Sequence, residues 1–402
     1  MAEIQVDLSD LEKMSNRIAV LASGSIYDRK GYFNAVINRT KHLALNSTYE
    51  IDFFLMSEYE PWIVRRFRHT KKRETPYSVN IDGVQVNLLW HRFSIIDYFI
   101  KVRLHKKSIF KARFLKKVVE KLKGYDFIIA HSIDSGMVAS MVKEKYGIPF
   151  SCTWHGTDTH TIPFQNPFVF KDTKHVIENA NINFYVSKTL KETSDRITNS
   201  GNKEVLYNGC DERFFDYTKE KKDALRKQFG VTDRDVVVFI GSFMDVKNVL
   251  LIPDIFRYVY EQNKNATLWM VGDGKLRGEV ERKSVDLPIM FWGYREPECM
   301  PDILNAADVL ILPSKNEGLP LSTVEGIRCG CHVVGSLVGG IPEVIGKENC
   351  IPVDSLNFAK DFADKIIYYL GPGKHQPQLI EDHFSWSESA KKEIKSIECI
   401  IK

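Results

Sequence analysis

Residues 308–328 read DVLILPSKNEGLPLSTVEGIR, and the order of residue types in them decides the fold. Asp308 to Leu312 (DVLIL) is apolar after its first residue and stops at Pro313, as a strand buried on both faces does. Leu321 to Arg328 has helix-compatible residues, and Pro320 suits the start of a helix. The stretch therefore predicts strand, loop, helix. Glu317 falls in the loop, and Glu325, eight positions on, falls about one turn into the helix. A loop that follows a parallel strand opens at the carboxyl edge of the sheet, where open α/β sheets take ligands. A helix start supplies free N–H groups and the positive end of a dipole, which suit a phosphate. Carboxylates on either side of it can accept from paired hydroxyl groups. Taken alone, two glutamates at this spacing are equally a loop charge and a solvated helix residue.

Working outward, the same strand-loop-helix order recurs on both sides. Asp235 to Gly241 (DVVVFIG) predicts a strand whose exit loop, GSFMDVKN, carries Lys247. Thr267 to Leu276 (TLWMVGDGKL) predicts another, ending in Gly272-Asp273-Gly274, and Pro288 to Gly293 a third, followed by Tyr294 and Arg295. His332 to Gly335 leads into Gly339-Gly340-Ile341-Pro342-Glu343, where Glu343 reads as a helix-start residue. Toward the amino terminus, Arg17 to Gly24 (RIAVLASG) predicts a first strand, with a polar loop to Gly31 and a helix over Tyr32 to Leu45. Neither GxGxxG nor GxxxxGK[ST] is present there. Phe127 to His131 predicts a strand with His131, Ser132 and Asp134 at its exit. Phe150 to Trp154 predicts the next, with His155-Gly156-Thr157-Asp158 in the loop after it. Asn208-Gly209 is a turn signal.

Together these segments resemble the retaining glycosyltransferases of family 4, which have the GT-B fold. The resemblance covers nearly the whole chain and is most specific from about Val236 to Ile345. It implies an α/β protein of two Rossmann-like domains facing across a cleft. The expected domains are residues 1–213 on the acceptor side, completed by a crossover helix over 385–402, and residues 214–384 for the nucleotide-sugar donor. It implies catalytic roles for His155, Glu317 and Lys247: Glu317 on the transferred sugar, Lys247 on the pyrophosphate, His155 facing the sugar. Donor contacts are implied for Glu325 (on the ribose), Gly241, Ser242, Gly272, Tyr294, Arg295, Gly318, Leu319, Leu321, Gly31 and Asp158. Two departures stand out. Ser242 occupies the place of the family's arginine and cannot supply its charge. The first loop offers one glycine, Gly31, where relatives often have two. Those departures keep open a non-catalytic nucleotide-sugar-binding scaffold, beside a nucleotide-sugar epimerase of the same fold.

Composition sets the outer bounds. At 402 residues the chain suits two domains, and 44% apolar residues is ordinary for a globular protein. The seven cysteines are scattered and form no metal-spaced pair, so neither a metal nor another cofactor is expected. The net charge of +4 does not call for nucleic acid. Charge is concentrated in residues 99–124, with ten Lys or Arg and one Glu. That segment reads either as an ordinary surface helix or as one lying on an anionic membrane. The acidic start, MAEIQVDLSDLEK, does not read as a secretory signal. The expected location is cytoplasmic, at most peripheral on the inner membrane face, and the expected partners are a nucleotide-sugar donor and a glycan or lipid-linked glycan acceptor. From the family, a role in bacterial surface polysaccharide or lipopolysaccharide assembly follows as an expectation.

Overall fold

A computed structural model describes residues 17–27, 31–68, 73–92, 109–371 and 378–401. The chain divides into two compact units. Unit 1 comprises residues up to Tyr185, Ser194–Leu206 and the stretch from Ser389 on. Unit 2 comprises Val186–Thr193 and Tyr207–Glu388.

Unit 1 holds an eight-stranded sheet. In chain order its strands are β1 (Arg17–Ser23), β2 (Glu50–Tyr59), β3 (Ser78–Ile81), β4 (Val84–Arg92), β5 (Phe127–His131), β6 (Phe150–Trp154), β7 (Ile182–Tyr185) and β8 (Lys203–Val205). Their spatial order is β3-β4-β2-β1-β5-β6-β7-β8. All neighbours are parallel except β3 and β4. That hairpin turns at Asp82 (φ 52°) and Gly83 (φ 86°), the doubly left-handed turn that matches strand twist. β5 and β6 are buried at every residue, which is why they read as unbroken apolar runs. Val20, Phe53, Leu55, Val86, Phe127 and Ile129 form a core that Ala390, Ile394 and Ile397 of the last helix, Trp386–Ile401, complete.

Unit 2 is a six-stranded, all-parallel sheet of β9 (Asp235–Ile240), β10 (Ala266–Val271), β11 (Ile289–Gly293), β12 (Val309–Leu312), β13 (His332–Ser336) and β14 (Cys350–Ile351). Its order is β11-β10-β9-β12-β13-β14. The chain runs outward from β9 to β11, then returns to lay β12 on the other side of β9. Unit 1 does the same with β1, β2 and β4 before β5. Each sheet thus has one place where the direction of winding reverses, β9/β12 and β1/β5, and the carboxyl ends there frame a crevice.

Asn208-Gly209 has a packing reason within unit 2. A Cβ on Gly209 would collide with backbone at Ser385 and Trp386, which runs beside it through the Cys210–Ser385 bridge.

Candidate active site

Three loops at the carboxyl edge of unit 2 are laced by backbone hydrogen bonds. Gly241 N donates to Val271 O (3.0 Å), Phe243 N to Asp273 O (2.9 Å) and Gly272 N to Gly293 O (2.9 Å). The lacing is tight enough to require glycine at 272, where φ is +128° and a Cβ would strike the Gly241 carbonyl. Across the winding reversal, Lys315 N donates to Val246 O (2.8 Å) and ties the loop after β12 to the loop after β9. Lys247 ends a 3-10 turn in that loop and meets Glu317 directly, Nζ to Oε1, at 2.5 Å. Ser314 Oγ donates to the same Oε1 at 2.7 Å. Oε2 of Glu317 makes no hydrogen bond among the described residues. The pair is well shielded, with side-chain exposures of 23% for Lys247 and 10% for Glu317, so the two charges offset each other at close range.

Glycine again sets the geometry. Gly340 N donates to Gly318 O (2.9 Å), and Gly339 lies at φ +52° with its Cα against the Glu317 backbone. Leu319 is buried beside them. Leu321–Arg328 then forms the expected helix after Pro320, and no side chain among the described residues caps its start. Thr323 N donates to Pro320 O (3.2 Å), and the N–H groups of Leu321 and Ser322 lie at the positive end of the helix dipole. Glu325 is half-buried on this helix. Burial pushes its carboxyl up to about 7; the Asp211 carboxylate adds to the rise and the Arg213 guanidinium opposes it.

The remaining donor-side candidates are placed as follows. Ser242 follows β9 and is partly buried. Tyr294 is exposed, and its hydroxyl donates to Glu296 at 3.3 Å. Arg295 is exposed with its guanidinium 5.3 Å from the centre of the Trp292 ring. Glu343 proves to be a clamp. Its carboxylate accepts from Lys188 N and Thr189 N (2.9 Å each), Thr189 Oγ1 (3.1 Å) and Tyr207 OH (2.9 Å). It thereby caps the start of helix Lys188–Ser194 and ties Lys188 and Thr189 to the rest of unit 2.

In unit 1 the corresponding edge gathers His131, His155, Tyr32 and Asp158. His155 Nε2 lies 3.0 Å from His131 Nδ1. The Tyr32 ring meets the His155 ring edge-on at 4.9 Å, and its hydroxyl donates to His131 O at 3.2 Å. Asp158 accepts from His155 N (3.1 Å), Gly156 N (2.8 Å) and Thr159 Oγ1 (3.4 Å), so its carboxylate is occupied in shaping the loop. Burial pushes His155 down to about 3, with the Arg39 charge adding to the effect. His131 is likewise driven well below the usual range by burial, then by His155 and Arg39. Both rings are neutral at pH 7. Gly31 opens helix Gly31–Asn46, and nothing among the described residues lies within 4 Å of where a Cβ would be. No group of three or more metal-ligating side chains occurs among the described residues.

Sequence reasoning noted His131 only as a strand exit and passed over Tyr32 and Ser314. The usable signal was position: each sits just past a buried parallel strand or at the head of the following helix.

Two family models match the chain. One, described as Glycosyltransferase Family 4, matches residues 61–214, and the other, Glycosyl transferases group 1, matches residues 234–371. The chain is 26% identical over 259 residues to the putative teichuronic acid biosynthesis glycosyltransferase TuaC of Bacillus subtilis, covering 64% of each chain. It is 28% identical over 225 residues to the N-acetyl-alpha-D-glucosaminyl L-malate synthase of Bacillus anthracis, covering 54% of this chain and 57% of that one. The matches thus span less than two thirds of these relatives' lengths. Among solved structures, Anabaena HepE in complex with UDP and glucose superposes with a TM-score of 0.67 at 15% identity, covering 95% of this chain and 98% of that one. At that identity the likeness shows the fold, and it is the GT-B fold expected from the sequence.

Proposed function

The chain belongs to the family 4 glycosyltransferases, and from that premise we propose that it moves a hexosyl group from a nucleotide diphosphate sugar to a hydroxyl group, with retention at the anomeric carbon. The observation that carries the reading is the shielded Lys247–Glu317 pair at the β9/β12 reversal, beside the uncapped start of helix Leu321–Arg328. Lys247 and the helix N–H groups would stabilise the leaving diphosphate, the kind of electrostatic help worth about 3 kcal/mol per donor group. Glu317 has Oε2 open for a sugar hydroxyl, and Glu325 is assigned the ribose hydroxyls. In the reaction the bond from C1 to the phosphate oxygen breaks and a bond from C1 to the acceptor oxygen forms. The acceptor proton passes to the departing diphosphate, so no side chain need act as nucleophile. Gly241, Ser242, Gly272, Gly318, Leu319 and Tyr294 are assigned to the donor side and His155 to the transferred sugar.

UDP-sugars are the first donors to examine, because the HepE structures hold UDP with glucose and UDP-glucose. A glycan or lipid-linked glycan acceptor in cell-surface polysaccharide assembly is supported by the name of the Bacillus subtilis relative. No helix among the described residues is long and apolar enough to cross a membrane. Attachment through the basic helix, on the cytoplasmic face, is the location that fits a lipid-linked acceptor.

The test is thermal unfolding with UDP-, GDP- and ADP-sugars, without metal, for the wild type, Glu317→Ala and Lys247→Ala. Donor at a hundred times its Kd adds about 2.7 kcal/mol of stability, a rise of a few degrees in Tm. One nucleotide class should stabilise the wild type and neither variant. Stabilisation that both variants retain would refute the site. Donor binding with no turnover on any acceptor would favour the scaffold reading.

A further inference from the structure

β5 and β6 run in register, with His131 opposite Thr153, so two histidines leave the sheet edge almost side by side. Their rings share one hydrogen bond, His131 Nδ1 to His155 Nε2 at 3.0 Å. Two neutral imidazoles sharing one bond hold one proton in it, and either ring can own that proton. The far side of His131 decides which. Its Nε2 is buried and has no hydrogen-bond partner among the described residues. A buried N–H without an acceptor is rarer in folded proteins than an acceptor left without a donor. His131 therefore keeps its proton on Nδ1 and leaves Nε2 as a bare lone pair. Nδ1–H of His131 then donates to Nε2 of His155, and His155 must carry its own proton on Nδ1.

We propose that His131 is a positioning residue that fixes His155 as the Nδ1–H tautomer, so that His155 meets the transferred sugar as a hydrogen-bond donor and never as a base. The role in transfer rests on the function proposed above; the tautomer does not. Three contacts hold the His155 ring and its backbone in place: His131 on Nε2, the Tyr32 ring edge-on, and Asp158 on the backbone N–H. Nδ1 takes no hydrogen bond among the described residues and is the nitrogen left for a ligand. A donor there can hold a sugar hydroxyl or steady charge on the departing oxygen. It cannot take the acceptor's proton, which is why that proton is routed to the diphosphate.

The primary experiment needs no variant of His131. Full-length protein labelled with 15N-histidine is examined by long-range 1H–15N correlation at pH 7, with the His155 signals identified by their loss in His155→Gln. The expected pattern is a protonated, pyrrole-type Nδ1 and a pyridine-type Nε2 for His155. The reverse pattern overturns the proposal. Two variants then separate positioning from packing. His131→Asn keeps a donor near the Nδ1 position and should preserve the tautomer and hold kcat within about threefold. His131→Asp offers only acceptors. It should pull the His155 proton onto Nε2 and lower kcat by roughly a hundredfold, with the donor KM little changed. A flipped tautomer with unchanged kcat would refute the positioning role. Should either variant fail to fold, the wild-type spectrum still decides the tautomer. A chain that turns over no donor would instead sink the glycosyl-transfer reading and, with it, the catalytic half of this one.

Discussion

Replacing Gly339 by alanine would put a Cβ about 1 Å inside the 3.0 Å below which real Cβ atoms are essentially never found, measured to the Glu317 carbonyl oxygen. The same Cβ would lie 2.8 Å from the Glu317 carbonyl carbon and 3.2 Å from its nitrogen. These are backbone atoms, so no side chain can swing away to relieve them. A residue with a Cβ at φ +52° costs a further 1–2 kcal/mol or so. The loop carrying Glu317 must therefore retreat by about 1 Å, and Glu317 is held to Lys247 and Ser314 by bonds of 2.5 and 2.7 Å. A displacement of that size at a reacting centre costs on the order of a hundredfold in rate. Gly339→Ala is thus expected to lower kcat for donor turnover about a hundredfold and to destabilise the fold by about 2 kcal/mol. Steady-state kinetics on the donor found by the unfolding screen, with urea denaturation alongside, measures both. Gly278→Ala is the control: a Cβ there meets nothing within 4 Å, and it lies inside helix Arg277–Lys283. It should leave kcat alone and stabilise by about 0.5–1 kcal/mol. If Gly339→Ala keeps kcat within twofold of wild type, the idea that this glycine pair sets the position of Glu317 is wrong.

Ser314→Ala removes the second donor on Glu317 Oε1, and should weaken donor binding about tenfold by titration, since a hydrogen bond to a charged group is worth about 1.5–3 kcal/mol. Arg39 and Glu393 form a fully buried pair at 3.3 Å in unit 1. Glu393→Gln should cost about 3–5 kcal/mol by urea denaturation, whereas Arg39→Met with Glu393→Met should recover most of that loss. Glu325 has its folded-state pKa raised to about 7, so the folded state binds the extra proton and stability falls as pH rises from below 5 toward 8. Glu325→Gln should flatten that slope in denaturation curves; an unchanged slope would assign the pH dependence to other groups. Helix Ile109–Lys121 exposes Arg113, Lys116, Lys117 and Lys121, while Lys106 and Lys107 lie outside the described residues. Reversing the charges of Lys106, Lys107, Lys116 and Lys117 should abolish sedimentation with anionic liposomes, at about 1 kcal/mol per charge; undiminished sedimentation would remove the membrane surface as a partner.

What was legible in the sequence followed from chemistry local to a few residues. The run DVLIL, the punctuation at Pro313 and Pro320 and the helix-compatible residues after Leu321 are each sufficient to place an element, and β12 and helix Leu321–Arg328 form there. What was not legible depended on strand order. Lys247 and Glu317 stand seventy positions apart, and only the return of β12 to the side of β9 brings them together. His131 and His155 meet because β5 and β6 are neighbours in register, a fact that no residue pattern records. Glu343 looked like the start of its own helix and is also the cap of another, because Lys188 and Thr189 present free N–H groups to it across 155 and 154 positions of sequence. Gly31 stands out as a glycine, yet a Cβ there would meet nothing among the described residues, and the neighbour that bears on His155 is Tyr32.

Ser242 is uncharged, which bears on how a diphosphate could be held on the proposed reading. Lys247 is already offset by Glu317, while Arg295 is exposed with its guanidinium over the Trp292 ring. The start of helix Leu321–Arg328 contributes the equivalent of about half a positive charge, together with its unpaired N–H groups. On the proposed reading, a donor gains more by drawing Lys247 away from Glu317. Ser314 makes that exchange inexpensive: when Lys247 turns to the diphosphate, Glu317 Oε1 keeps one hydrogen bond, and Oε2 takes a sugar hydroxyl. The cation is then released to the leaving group only when a sugar is present to engage the carboxylate. A bare nucleotide diphosphate, which offers no such hydroxyl, would have to break the ion pair without compensation. On the proposed reading, discrimination between nucleotide sugar and free nucleotide would thus come from the pair itself.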